Sequence, residues 1–269
     1  MSIILKARGI QEISRDKLFS IQVPEQTYSY CPISNREIVE TTLEELDKGN
    51  YNVKSEFHRC DGSHQKFVGG FLISSGDSEM DIMFGYKNSY DRSMSAAFAL
   101  GANIMICSNS VVTGEVSMIR RHTGNGNLII TEGIKLGLEK LWPNFETIQA
   151  EMKRMKEIET SKRICSELCG RLFIEHEIIT AHQLAVVKKE FEVESFNYGV
   201  KDSLYNLYQA VTLSLKKSHP SHWLQDHLDA HEFFVNAAGE LETSTPLIPE
   251  PVIPLPEVKE KKLSWLDEL

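Results

Sequence analysis

Proline is unevenly distributed along this 269-residue chain, because five of its nine prolines lie between Pro246 and Pro256. Proline fixes φ and supplies no backbone N–H, so this stretch predicts neither a helix nor a central strand. It predicts an extended linker of polyproline II character instead. We therefore expect a folded body over residues 1–239, a disordered Pro-rich linker over 240–257 and a short C-terminal peptide over 258–269.

The first half of the body has the pattern of strands. Residues 51–58 alternate between the two faces of a half-buried strand, and turn signals at Asp61-Gly62 and Gly76-Asp77 lead into two further strands. Three strands linked by hairpins indicate an antiparallel meander. After the meander, the sequence predicts a short helix over residues 93–100 and two more strands, over residues 103–107 and 116–122.

Helices dominate the rest of the body. Ser34 and Glu37 form a capping box that opens one helix early in the chain, and the pattern is helical from residue 128 onward. The predicted fold class is α+β, with an antiparallel sheet in the N-terminal half and helices in the C-terminal half.

Charge and hydropathy limit the function classes. The net charge of −9 excludes a protein that coats duplex DNA with its whole surface, but it allows a local basic groove. Residues 92–131 are the least acidic long segment, with three arginines and a single acid, Glu115.

The sequence also indicates where the protein is located. It has no apolar run of membrane-spanning length and no signal-peptide core, and its five cysteines are scattered. We expect a protein of the cytoplasm that has no membrane partner.

Signatures of catalysis are missing from the sequence. It contains no P-loop, dinucleotide fingerprint, nucleophile elbow or metalloprotease motif, so we expect a protein that is not an enzyme and has no cofactor.

One alternative is a metal-dependent enzyme that acts on nucleic acid. Its ligands would come from a histidine-rich stretch that contains His219, His222, Asp226, His227 and His231. Because these residues fall on two faces of a helix, we predict an ordinary amphipathic helix and no metal site.

Cations and aromatic residues recur in the sheet half. Proteins that bind single strands need cations for the phosphates and aromatic rings on which bases stack. Two tyrosines also alternate on an extended segment, Tyr28 and Tyr30. The residues that we predict to bind nucleic acid are Tyr86, Lys87, Tyr90, Arg92, Arg120, Arg121, His122, Lys54, Arg59 and Lys66.

The C-terminal peptide has its own pattern. Leucines recur every third residue beside a tryptophan, which is typical of a peptide that docks into a groove of a partner. A frayed acidic tail that only aids solubility is the alternative, and it explains the acids but not the apolar residues. The predicted partner-binding residues are Lys261, Lys262, Leu263, Trp265, Leu266 and Leu269.

Two sets of motifs resemble a known family. Asn88-Ser-Tyr-Asp-Arg-Ser93, Cys107-Ser-Asn109 and Arg121-His-Thr123 resemble, in order and spacing, a phage and plasmid family classed as a domain of unknown function. Leu204-Tyr-Asn-Leu-Tyr-Gln-Ala-Val-Thr212 and the later His219 resemble another segment of that family, although Tyr205 and Gln209 replace its Trp and Asn. The resemblance covers residues 50–220 and implies a phage or mobile-element origin, but no assigned activity.

The layout of body and acidic tail is similar to that of phage single-stranded DNA-binding proteins, in particular those of the enquatrovirus-like podophages. This resemblance implies a role in DNA replication and recombination, and activation of the host RNA polymerase through the C-terminus. Unlike a purely acidic tip, the tail here also contains Lys259, Lys261 and Lys262.

The function predicted from the sequence is non-sequence-specific binding of single-stranded DNA in the bacterial host, with the tail recruiting replication or transcription partners. The alternative is a mobile-element protein that binds a host defence or restriction factor and has no affinity for DNA. A net negative charge is compatible with that alternative, since such proteins can mimic DNA.

Overall fold

The computed structural model describes residues 10–77, 79–104, 109–120, 126–193, 195–196, 198, 200–216 and 218–243. The strands are β1 (Ile10–Glu12), β2 (Val53–Asp61), β3 (Lys66–Ile73), β4 (Met80–Ser89), β5 (Ala96–Ile104) and β6 (Asn109–Arg120). The helices are α1 (Arg15–Ser20), α2 (Asn35–Lys48), α3 (Gly126–Glu139), α4 (Leu141–Glu157), α5 (Lys162–Gly170), α6 (Ala181–Glu192), α7 (Leu204–Leu215) and α8 (Trp223–Thr243). A π-helical turn, Arg171–Glu175, continues α5.

The described strands form one antiparallel sheet in which each strand pairs with the next along the chain, from β1 to β6. With the later helices, this arrangement confirms the α+β fold class. The capping box at the start of α2 is half formed: the Ser34 side chain accepts the N–H of Glu37, as predicted. No described helix is both long and apolar enough to cross a membrane.

The prediction of a short helix over residues 93–100 is wrong, because this stretch leads into β5. Ala97, Phe98 and Ala99 pair with both β4 and β6. Alanine is the strongest helix former, but intrinsic propensity is small per residue, and hydrogen bonds to the two flanking strands outweigh it in β5. Its side chains alternate accordingly, with Phe98 on one face and Ala99 on the other.

Helices pack on both faces of the sheet. The first face carries aromatic residues such as Phe71, Phe84 and Phe98 and belongs to the main core. The second face carries Val68, Met83 and Ala99, which pack against Trp223 and Leu224 at the start of α8. The edge of the Trp223 ring also contacts Phe57 of β2, with 6.0 Å between the ring centroids. The N-terminal end of α8 is therefore anchored on the sheet.

The C-terminal boundary of the folded body lies beyond the predicted residue 239. α8 continues to Thr243, and its last turns are held by ion pairs from Arg171 to Glu240 and from Arg154 to Glu242. Gly239 lies inside the helix and not at its end. The remainder of the predicted linker and the C-terminal peptide lie outside the described residues.

Gly69 provides a test of the sheet packing. A Cβ atom on Gly69 would lie 2.5 Å from Cε1 of Tyr86 and 2.7 Å from the carbonyl oxygen of Phe57. We expect Gly69→Ala to lower the free energy of unfolding by about 1–3 kcal/mol, because backbone and a buried ring must shift. Denaturant unfolding measures this loss.

Gly85→Ala is the matched control on the neighbouring strand, because its Cβ would meet nothing closer than 3.6 Å. It should change the free energy of unfolding by less than Gly69→Ala does. Equal losses in the two variants would contradict this account of the packing.

Candidate nucleic-acid interface

One end of the sheet collects cations from separate parts of the sequence. Because the sheet is an antiparallel meander, β2, β4 and β6 all finish at this end, and the turn 62–65 and the loop 90–95 lie there too. Four of the predicted DNA-binding residues are brought together in this way. We call them the basic end: Arg59, Lys66, Lys87 and Arg92.

The register explains how three of these residues share a face. Val68 of β3 pairs with Arg59 of β2 on one side and with Lys87 of β4 on the other. The side chains of paired residues lie on the same face, so Arg59 and Lys87 flank Val68, with roughly 10 Å between their strands. Lys66 precedes Val68 by two residues and therefore lies on this second face as well.

Arg59 and Lys87 are half-buried, and neither forms an ion pair with a described carboxylate. Burial lowers the pKa of both side chains. Glu12 is the cross-strand neighbour of Arg59 on β1, and its charge partly offsets the effect of burial on the Arg59 pKa. Half-buried cations of this kind gain stability from an anion that brings both charge and hydrogen-bond acceptors.

Lys66 and Arg92 are positioned by the loop 90–95. Lys66 Nζ lies 3.5 Å from a carboxylate oxygen of Asp91, which also accepts the N–H and O–H of Ser93. Arg92 is exposed and has a left-handed backbone, with φ of 64°. Its guanidinium carbon lies 4.2 Å from the centre of the Tyr30 ring. Lys66 is therefore partly neutralised, whereas Arg92 keeps its charge near the surface.

Tyr28 supplies an aromatic ring beside these cations. It lies in the turn closed by backbone hydrogen bonds between Thr27 and Tyr30, and its relative exposure is 109%. Tyr30 packs under Arg92, which places the turn next to the loop 90–95. A ring so fully exposed has no packing role, so its faces are available to a base.

Tyr86 is not exposed, and its burial corrects the prediction that a base stacks on its ring. Its side chain is fully buried, and its hydroxyl lies 2.8 Å from Nδ1 of His58. Nε2 of His58 lies 3.2 Å from Glu56, which also receives two hydrogen bonds from Arg15. The sequence placed Tyr86 on a strand but could not show that it points into the core.

Tyr90 is buried as well, so its predicted stacking role is also corrected. Its hydroxyl accepts the backbone N–H of Asn35, and its carbonyl accepts the hydroxyl of Tyr30. Nearby residues of the same motif hold the loop together: Asn88 donates to Ile33 and Asn35, and Ser89 bonds Met94 in both directions. The described contacts of this motif are therefore structural.

Lys54 does not belong to the basic end. It lies near the start of β2, at the opposite end of the sheet, and its Nζ is 2.6 Å from the buried carboxylate of Asp81. The prediction that Lys54 contacts DNA with the other cations is therefore corrected.

The remaining predicted residues are described in part or not at all. The backbone of Arg120 pairs with Ala96, which places the end of β6 at the basic end. The other predicted residues lie outside the described residues: Arg121, His122, Lys261, Lys262, Leu263, Trp265, Leu266 and Leu269.

The histidine-rich stretch does not form one cluster. His231 lies between Tyr208 and Glu151, at 2.9 and 2.8 Å, whereas His219 contacts Ser221 at 2.6 Å. Within the part of the chain that the structure describes, no group of three His, Cys, Asp or Glu side chains is arranged to hold a metal ion.

The sequence suggests His227 only as a possible metal ligand and contains no signal that places it near Arg59. It is buried below Trp223, with 5.2 Å between the ring centroids. Burial, together with the positive charges of Arg59 and Lys216, lowers the pKa of His227 to about 3. The start of α8 therefore adds a neutral imidazole next to Arg59.

No protein-family model, no curated protein and no solved structure matches the chain.

Tyr86→Phe tests whether this tyrosine is structural. The change removes the buried hydroxyl that contacts His58, so we expect a loss of about 1–3 kcal/mol in the free energy of unfolding. The affinity for single-stranded DNA should stay unchanged. Tyr28→Phe is the matched control and should leave the stability unchanged, since its hydroxyl is in solvent. A weakened affinity for DNA with unchanged stability would place Tyr86 at the interface after all.

Proposed function

We propose that the protein is a single-stranded DNA-binding protein of a bacteriophage, without enzymatic activity, that supports DNA replication and recombination in the cytoplasm of a bacterial host. The observation that carries the proposal is the convergence of the basic end. Arg59, Lys66, Lys87 and Arg92 are scattered in the sequence, yet they meet at one end of the sheet beside the exposed Tyr28.

The DNA strand is proposed to cross this end of the sheet and not one of its faces. Helices cover both faces, and Tyr86 and Tyr90 are buried. Cations that contact phosphates bind without regard to sequence, and one stacking ring accepts any base. Non-sequence-specific binding of a single strand is the function that this combination supports best.

The acidic tail fits the proposal as a competitor and a recruiting segment. Glu240 and Glu242 pair with arginines within the folded body, so the tail beyond α8, residues 244–269, carries five acids against three lysines. A tethered chain of this charge competes with DNA for a basic surface, and DNA that displaces it releases the terminal peptide for partners. We propose replication proteins or an RNA polymerase as those partners, the latter for transcription activation.

Substitutions in the basic end test the proposal. We expect the double variant Arg59→Gln/Lys87→Gln to weaken the binding of a labelled single-stranded oligonucleotide by at least tenfold at low salt. It should also flatten the plot of log affinity against log salt by about 1.4, since each phosphate contact on a single strand contributes about 0.7. Fluorescence anisotropy at several salt concentrations measures both quantities.

The control for this experiment is Lys188→Gln, which changes an exposed lysine of α6 that pairs with Glu192 away from the sheet.

A variant that ends at Thr243 should bind DNA more tightly than the full chain, because it lacks the competing tail. If neither the full chain nor this variant binds single-stranded DNA at low salt, the proposal fails. The host-factor alternative then predicts a stable complex in a lysate pull-down that survives nuclease treatment.

Tyr28→Ala tests the stacking ring separately. One base that stacks on an aromatic ring contributes about 1–3 kcal/mol, so we expect affinity to fall by at least about fivefold. The salt dependence should stay the same, since no charge is removed. Tyr28→Trp should preserve binding, and Trp142→Ala, which removes an exposed ring of α4, should have no effect. Unchanged affinity in Tyr28→Ala would exclude this ring from the interface.

A further inference from the structure

A chain of ring contacts connects the basic end to the start of α8. The guanidinium of Arg59 lies over the Phe57 ring, at 5.1 Å from its centre. The edge of the Trp223 ring packs against the same ring, and His227 packs against Trp223. Arg59 and Trp223 thus contact the same ring on the second face, His227 packs next to Trp223, and Lys87 lies on the other side of Val68 from Arg59.

Hydrogen-bonding groups in this region lack partners. Nε1 of Trp223 and both ring nitrogens of His227 are buried and form no hydrogen bond with any described residue. Trp223 and His227 are 1% exposed. A buried polar atom without a partner costs about 1–3 kcal/mol, and three such atoms in two adjacent side chains are unusual in a protein core.

Most of these groups are hydrogen-bond donors. The guanidinium, the ammonium and the indole N–H can only donate hydrogen bonds, whereas a neutral imidazole has one N–H to donate and one nitrogen that accepts. Two acids lie close to these groups in the chain or the sheet. Asp226 receives a hydrogen bond from Ser218, and Glu12, which pairs with Arg59 across the edge strand, is exposed and offsets only part of the effect of burial on the Arg59 pKa. A region rich in donors and positive charge fits an anion with several acceptor oxygens.

We propose that Arg59, Lys87, Trp223 and His227 form a subsite for one phosphate group. The two half-buried cations would hold its charge, and the indole N–H and the imidazole N–H would each donate to one of its oxygens. The inference rests on the proposed function for the source of the phosphate, which is the backbone of the bound DNA. Inorganic phosphate and nucleotides share this chemistry and are a second source.

The indole N–H resonance of Trp223 reports on the subsite directly. We expect it to move and to saturate when the full-length, 15N-labelled protein is titrated with inorganic phosphate at constant ionic strength. Sodium chloride at the same ionic strength should not move it. Trp223→Phe identifies the resonance among those of the three tryptophans. A resonance that responds equally to both salts, or to neither, overturns the proposal.

Two variants separate the subsite from general charge effects. Arg59→Gln and Lys87→Gln should each weaken phosphate binding by at least tenfold. Arg36→Gln is the control, because Arg36 is exposed on α2 and paired with Glu40. If the control weakens binding as much as the other two do, the phosphate is not held at this place. Since Lys87 packs on the other side of Val68, its variant remains informative even if Arg59→Gln fails to fold.

An oligonucleotide arm distinguishes the source of the phosphate. Single-stranded DNA should move the same indole resonance, and an oligonucleotide with an uncharged methylphosphonate backbone should not. If DNA binds but leaves the resonance in place, the subsite is wrong while the proposed function stands. If phosphate moves the resonance but DNA does not bind, the subsite is supported with a free phosphate as its ligand, and the proposed function fails.

Discussion

The packing of Trp223 on the second face of the sheet determines where the N-terminal end of α8 lies, and the candidate site depends on that position. The ring packs with Val68, Met83 and Ala99 and contacts Phe57 at its edge. This contact brings His227 close enough to Arg59 for the arginine charge to lower the histidine pKa. Without it, Arg59 and Lys87 would be ordinary surface cations on a half-exposed sheet.

Two buried polar networks give Tyr86 and Tyr208 a structural role. Tyr86 contacts His58, which lies next to Glu56. Tyr208 contacts His231, which lies next to Glu151. The hydrogen bonds of the two tyrosine hydroxyls hold these side chains in the core, although Nε2 of His58 meets Glu56 only as an ion-pair neighbour and forms no hydrogen bond. The first network also removes Tyr86 from the surface, whereas Tyr28, next to the loop 90–95, is exposed and available for stacking.

Local signals predicted the architecture well, and long-range packing decided the rest. The turn at Asp61-Gly62 and the cap at Ser34 act within a few residues, so the hairpins and α2 could be predicted from the sequence. The start of β5 could not, since its alanines favour a helix and only the pairing with β4 and β6 makes this stretch a strand. Arg59 and Lys54 look equivalent on one strand. Only the register shows that Arg59 lies at the basic end, whereas Lys54 pairs with Asp81 at the other.

Mapping the backbone amides that respond to DNA would locate the binding surface. We expect a short single-stranded oligonucleotide to perturb the amide resonances around Tyr28, Arg59, Lys66 and the loop 90–95, and to leave those of α5 and α6 unchanged. Perturbations confined to the helical half, or spread evenly over the protein, would exclude the basic end as the binding surface.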